Sequence, residues 1–335
     1  MHIFRLGLII LSFSVHSFMA AANSPDSLNT CRKAFMFKPD EFAVANSIKI
    51  CSNAAQVPFG YETDLNRTVC DDKLCANVFL KLYWDLAGNY VRFDTIAGKP
   101  LTKFDHKRFA DGDYKKLNQI LKDRNSMLRV LEKGDLVDKN IKLKATTVDA
   151  VSGATPATIK KAVVEGAVYS SHTLWHFING PIKDSIRAFT LRNYSEQIVI
   201  QMLNSENYET QLFALKQFKS DDYNSHFTMI CQLIQKSVPL IKAYLISKSP
   251  LPFQSRDQNL KFVSLFPELD GYSKSVFIDR ITGDEKLATI FLPLIIPQLP
   301  ILDQKQSDKI VMAVNKFEIS VYPELLKKII ENDKQ

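Results

Sequence analysis

The chain has no Gly-x-Ser-x-Gly turn, no glycine-rich phosphate loop and no dinucleotide fingerprint. The usual sequence marks of serine hydrolases, P-loop nucleotidases and Rossmann oxidoreductases are therefore missing. Positive charge is not concentrated anywhere. The formal net charge of +7 is spread over 335 residues, with no basic stripe and no recognition motif, which argues against a nucleic-acid partner. Long apolar runs are scarce as well. Leu6 to Phe18 is too short to span the roughly 30 Å hydrocarbon core of a bilayer. Leu287 to Leu302 is interrupted by Pro293, Pro297 and Pro300, so it is expected as buried irregular structure or short strands. No transmembrane helix is expected in the mature chain.

What is present begins with an export signal. His2 and Arg5 precede the apolar Leu6–Phe18 stretch, and Ala20-Ala21-Ala22 offers small residues for cleavage. Residues 1–22 are thus expected to leave, and the mature protein to be secreted or periplasmic. Hydrophobic residues at 46% and charged residues at 24% are an ordinary globular balance, and the length suits two domains. Five cysteines fit the oxidising address. Cys31, Cys51, Cys70 and Cys75 crowd the first part of the mature chain, and Cys231 stands alone as a buried small hydrophobe. Three pairings are open to the four; Cys31–Cys51 with Cys70–Cys75 is preferred, and no metal is expected there.

Along the chain, residues 23–69 are polar and broken by Pro25, Pro39, Pro58 and Gly60, which reads as an irregular lead-in pinned by cysteines. Val78–Asp85 and Tyr90–Phe93 are β-branched and aromatic runs around Leu86-Ala87-Gly88-Asn89, which predicts a hairpin. Asp111-Gly112-Asp113 caps a helix with Tyr114, Leu117, Ile120 and Leu121 on one face, and Ser126–Leu136 is a short helix or loop. Ile141–Val148 alternates as a strand. Apolar residues at helical spacing then run from Pro156 to Asn179, with a break near Gly166, and Asn179-Gly180-Pro181 stops the helix. Beyond Pro181, Ser195–Leu203, Tyr208–Phe218, Tyr223–Lys236 and Val238–Ser247 predict short antiparallel helices, and Glu318–Asn332 a terminal one.

Between that strand and that helix lies Asp149-Ala150-Val151-Ser152-Gly153-Ala154-Thr155. It resembles the Asp-x-x-Ser/Thr-Gly-Ala-Thr flavinylation motif of the FMN-binding domains of Rnf and Nqr electron-transport complexes. The strand–turn–strand at Val78–Phe93 is also similar to the opening of that domain's sheet. The resemblance implies an α+β fold over residues 70–181, an antiparallel-sheet FMN-binding-type domain, followed by a mainly α-helical domain over 182–335. It implies FMN joined through its phosphate to Thr155 by a flavin transferase, with Asp149, Ser152, Gly153 and Ala154 shaping the loop. The product would be an electron carrier or oxidoreductase component with a redox protein partner. A helix starting at Pro156 would make Thr155 its N-cap, where unpaired N–H groups and the helix dipole favour a phosphate. Trp84, Tyr169 and Trp175 are candidate flavin neighbours, or core aromatics. In place of the family's usual continuation, Pro156-Ala157-Thr158 follows Thr155.

Two other readings use the same residues. Thr155-Pro156 is by itself a good N-cap and N1 pair, which leaves a non-catalytic secreted interaction module. Gln211-Leu212-Phe213-Ala214-Leu215 resembles the inner helix of a HEAT-type repeat. His172 and His176, four apart, share a helix face as metal ligands would; packing among Leu174, Trp175 and Phe177 is the preferred reading.

Overall fold

The computed structural model describes residues 29–39, 44–69, 77–104, 106–136, 138–142, 153–154 and 159–319. The signal segment, Cys70 and Cys75 lie outside them.

Five strands form an antiparallel meander in chain order: β1 (Thr30–Phe37), β2 (Asn46–Ser52), β3 (Pro58–Arg67), β4 (Val78–Trp84) and β5 (Tyr90–Thr95). The residues expected as an irregular lead-in supply β1, β2 and β3. Their breakers punctuate the strands without abolishing them. Pro39 follows β1, and Pro58 opens β3, where a missing N–H costs least. Gly60 stands inside β3 because a Cβ there would meet the Trp84 carbonyl oxygen at 2.5 Å. Cys31 and Cys51 are directly opposed in the β1–β2 register and form a disulfide, as the sequence suggested.

Alternation sorts the faces. Ile48, Ile50, Leu65, Leu80, Leu82 and Trp84 point into the core. On the opposite face Lys49 and Lys81 bracket Glu62 and Asp64, a cross-strand charge ladder in which Asp64 is exposed and Glu62 buried. The core face is covered by α1 (Asp111–Lys122), α2 (Val168–Asn179) and α3 (Ile182–Arg192). Trp84 donates from its indole to the Ile178 carbonyl, and Phe177 packs against both Trp84 and Phe37. Although α3 falls in the stretch assigned by sequence to the helical region, Phe189 packs on Phe35 and Tyr61 of the sheet.

Nine further helices follow among the described residues: α4 (Glu196–Leu203), α5 (Tyr208–Leu215), α6 (Ser220–Ser225), α7 (Phe227–Lys236), α8 (Pro239–Lys248), α9 (Arg256–Val263), α10 (Gly271–Thr282), α11 (Glu285–Ile295) and α12 (Gln304–Lys316). Six of them, α4, α5, α9, α10, α11 and α12, are capped by Ser195, Asn207, Ser255, Asp270, Asp284 and Asp303, each accepting a backbone N–H of its helix's first turn. A file of aromatic rings, Phe227, Phe253, Phe262, Phe277 and Phe291, links α7 to α11 through one core. The described chain is therefore α+β, a meander sheet with its covering helices followed by helices alone. No helix among the described residues is long and apolar enough to cross a membrane.

One expectation in this region is corrected. The Leu287–Leu302 stretch is not irregular or extended: α11 contains Pro293 and passes into a 3-10 turn, Ile296–Ile301. Pro293 falls in the last turn, and burial of Leu287, Phe291, Leu292 and Ile295 outweighs its missing hydrogen bond. Just past α12, Glu318 has φ of 51°. The terminal helix expected over Glu318–Asn332 falls on residues 320–335, which lie outside the described set.

Candidate functional site

Of the seven motif residues, Gly153 and Ala154 are described. They form a short strand, β7 (Gly153–Ala154), antiparallel to β6 (Asp138–Lys142), with Asp138 opposite Ala154 and Lys142 opposite Gly153. The strand expected at Ile141–Val148 thus starts three residues earlier, and the motif folds back on it. Asp149, Ser152 and Thr155 lie outside the described residues.

The helix expected from Pro156 is not continuous. Residues 159–165 are turns, Gly166 has φ of +72°, and α2 begins only at Val168 with Ala167 as its N-cap. The apolar spacing that suggested a helix is real but serves burial: Ile159, Val163 and Val164 enter the core from turns. Ser171 fixes them, accepting the Val164 N–H and donating to the Ala167 carbonyl. The cap of α2 is thus Ala167, twelve positions after Thr155 in the sequence.

The candidate flavin neighbours divide. Trp84 and Trp175 are core residues, 1% and 4% exposed, and their indole nitrogens donate to Ile178 and Asp123 carbonyls. Tyr169 is half-buried, edge-to-face on Phe104. The two histidines serve packing. Nε2 of His172 donates to the Leu131 carbonyl and Nε2 of His176 to the Leu128 carbonyl, both at 2.8 Å, tying α2 to the 3-10 turn Met127–Val130. Among the described residues the one grouping with metal-ligand proximity is Cys31, Cys51 and Glu62, and its sulfurs are spent in the disulfide. Cys231 is buried, and burial pushes its thiol up to about 11, so it is inert.

A second locus went unnoticed in the sequence. The β4–β5 turn, expected only as a hairpin, is the point where the sheet meets the helices. Asp85 accepts the Ala87 and Asn89 backbone N–H groups on one oxygen. Its other oxygen accepts the Asn89 side-chain amide and the Thr210 hydroxyl of α5. Gly88, with φ of +71°, allows the reversal. Thr190 of α3 donates to the Leu86 carbonyl and binds Tyr61, whose hydroxyl burial pushes up to about 12. Arg187 donates to the Ala87 carbonyl, and Arg124, just past α1, binds Asn89 and Glu209. Beside this network opens a polar cleft of about 750 Å³, lined by Asp85, Asn89, Tyr90, Arg124, Asn207 and Glu209 among others. Separations of 35 to 125 residues join Arg124 to Asn89 and Thr210 to Asp85, so no local pattern announces the site. The spacing of Asp85 and Asn89 around a glycine was the only available sign.

Comparison with family models, with curated proteins and with solved structures gives no match for this chain.

Proposed function

We propose that this is an exported flavoprotein carrying FMN covalently on Thr155 and acting in extracytoplasmic electron transfer. The observation that carries the reading is the motif Asp149–Thr155 itself, with small residues at Gly153 and Ala154 leading directly to a hydroxyl. The short β6–β7 ladder supports it, because it sets Gly153 and Ala154 in a strand pair directly before Thr155 in the sequence. In the transfer, Thr155 Oγ bonds to the FMN phosphorus of FAD, the phosphoanhydride bond breaks, AMP leaves and the hydroxyl proton is lost. The Thr155 phosphoester would hold the group, and the flavin when bound would supply one- or two-electron chemistry. With Trp84 and Trp175 committed to the core, the ring would lie outside that core, against Tyr169 or open to a redox partner.

The Cys31–Cys51 disulfide favours an oxidising compartment, where a cofactor held only by noncovalent contacts would be lost by diffusion. The helical region, with its near-neighbour helix contacts, would dock the redox partner.

Intact mass decides. Protein co-expressed for export with a flavin transferase should gain the mass of one FMN less one water, and Thr155→Ala should gain nothing. Absence of the gain in wild type, with the transferase active on a control substrate, would overturn the assignment.

A further inference from the structure

The Cys31–Cys51 bridge sits asymmetrically. Cys31 is the second residue of β1, an outermost strand of the sheet, and is exposed. Cys51, directly opposite on β2, is buried. An attacking thiolate can therefore approach Cys31, while Cys51 is shielded from it.

The bridge does not by itself hold β1 in place. The β1–β2 register runs on from it to Phe37, and Phe35 and Phe37 pack on Phe189 and Phe177 of the covering helices. The strand keeps these anchors when the bridge opens, so both redox states have a folded form.

Ionisable groups stand at the sulfurs. A carboxylate oxygen of the buried Glu62 lies within 4.8 Å of both. Lys49 and Lys81 each lie 3.6 Å from Glu62 Oε1, Asp64 is the next carboxylate along β3, and Tyr83 is the β4 residue opposite Glu62. Strand alternation puts Lys33 on the face of Cys31 and Lys49 on the face of Cys51. Among the described residues Lys33 has no hydrogen bond or ion pair. A bridge serving only as a staple gains nothing from such neighbours. A bridge that opens does: lysines favour the thiolate form, and a carboxylate can take up a thiol proton directly or through one water.

We propose that Cys31, Cys51 and Glu62 form a thiol–disulfide exchange site that takes two electrons from a dithiol. The donor's first thiolate, its proton lost to water, bonds to Cys31 Sγ. The Cys31–Cys51 bond breaks, and Cys51 leaves with the electron pair and is protonated. The donor's second thiolate then attacks the mixed disulfide, Cys31 leaves and is protonated, and the donor departs as a disulfide. In the reverse direction Glu62 accepts the Cys51 thiol proton, making the thiolate that closes the bridge. Nothing in this chemistry involves a flavin on Thr155.

The test uses the mature chain as wild type and as Thr155→Ala, so its outcome is separate from flavinylation. Each is reduced with dithiothreitol without denaturant and alkylated, and the Cys31 and Cys51 peptides are weighed. Both cysteines should react at a rate proportional to dithiothreitol and unchanged by low urea, with the circular dichroism of the fold retained. Closure of the reduced protein by oxidised dithiothreitol should slow about tenfold or more in Glu62→Gln, with a flatter pH profile. Asp64→Asn, which alters the same charge ladder away from the sulfurs, should close as wild type does. Alkylation that rises with urea, showing that only unfolded chains react, would overturn the site. So would equal closure rates and pH profiles in wild type and Glu62→Gln.

Discussion

Two short turns carry this molecule's two kinds of information. The loop ending in Gly153-Ala154-Thr155 is rich in sequence signal, and its described part makes one small two-strand ladder. The turn Leu86–Asn89 carries almost no signal, yet α3, α5 and Arg124 all hold it. A residue kept for chemistry needs access, so its neighbours are small and its contacts few. A residue kept for architecture is buried, and its partners come from distant parts of the chain. The Asp85 turn is of the second kind at its base, where Asn89 and Thr210 are 1% and 2% exposed.

Substitutions can break that contrast. The largest effect is expected from Asp85→Ala, which strands two turn N–H groups, the Asn89 amide and the Thr210 hydroxyl at a buried junction. A loss of about 3–5 kcal/mol by urea unfolding is expected, as for removing one partner of a buried charged network. Thr155→Ala, by comparison, should leave the urea midpoint within about 0.5 kcal/mol of wild type while abolishing the mass gain. A large loss of stability there would erase the distinction between the two turns.

Next in size is the disulfide. The bridge between Cys31 and Cys51 closes 20 residues, and replacing both with serine should cost about 3 kcal/mol through the freer unfolded chain. The difference between reducing and non-reducing melts should be smaller in the double variant than in wild type by the same amount.

The smallest effect sharpens the comparison from the side of charge. Burial first, then Arg124 and Arg187, make the folded protein hold the Lys183 proton less tightly than the unfolded chain, with values of about 8 and 10.5. Between those values the unfolded state binds more protons, so the stability of wild type climbs with pH across that window. Lys183→Met should therefore unfold at a higher urea midpoint than wild type below about pH 8. The gain should shrink as pH rises and disappear above 10.5, because the charge is then absent from both states. A gain independent of pH would mean that the methionine acts by packing alone.

Local pattern was enough for several elements. The β4–β5 hairpin followed from β-branched and aromatic runs around a turn, and α1 from its acidic start and apolar face. Asp113 does accept the Ala110 N–H at the mouth of α1. The helices α4, α5, α7 and α8 lie where amphipathic spacing put them. Pattern failed where neighbours decide. Three strands in residues 30–67 were hidden by prolines at strand ends and by a glycine that only the facing Trp84 carbonyl explains. The periodicity of residues 156–167 was read as helix, although periodic burial also arises from turns pressed against a core. The helices α9, α10 and α12 were passed over because their apolar positions become a face only against neighbours such as α8 and α11.

From its sequence alone the chain determined its α+β order of strands before helices, its hairpin and first helix, the opposition of Cys31 and Cys51, and the hydroxyl-tipped motif at Thr155. These rest on alternation, capping and short spacings, which are local properties of a chain. Tertiary structure alone decided that Trp84 and Trp175 belong to the core, that the histidines hold a turn, and that Arg124, Arg187 and Thr210 hold the β4–β5 turn. Burial, desolvation and charge pairing between residues a hundred positions apart exist only after the chain has closed on itself.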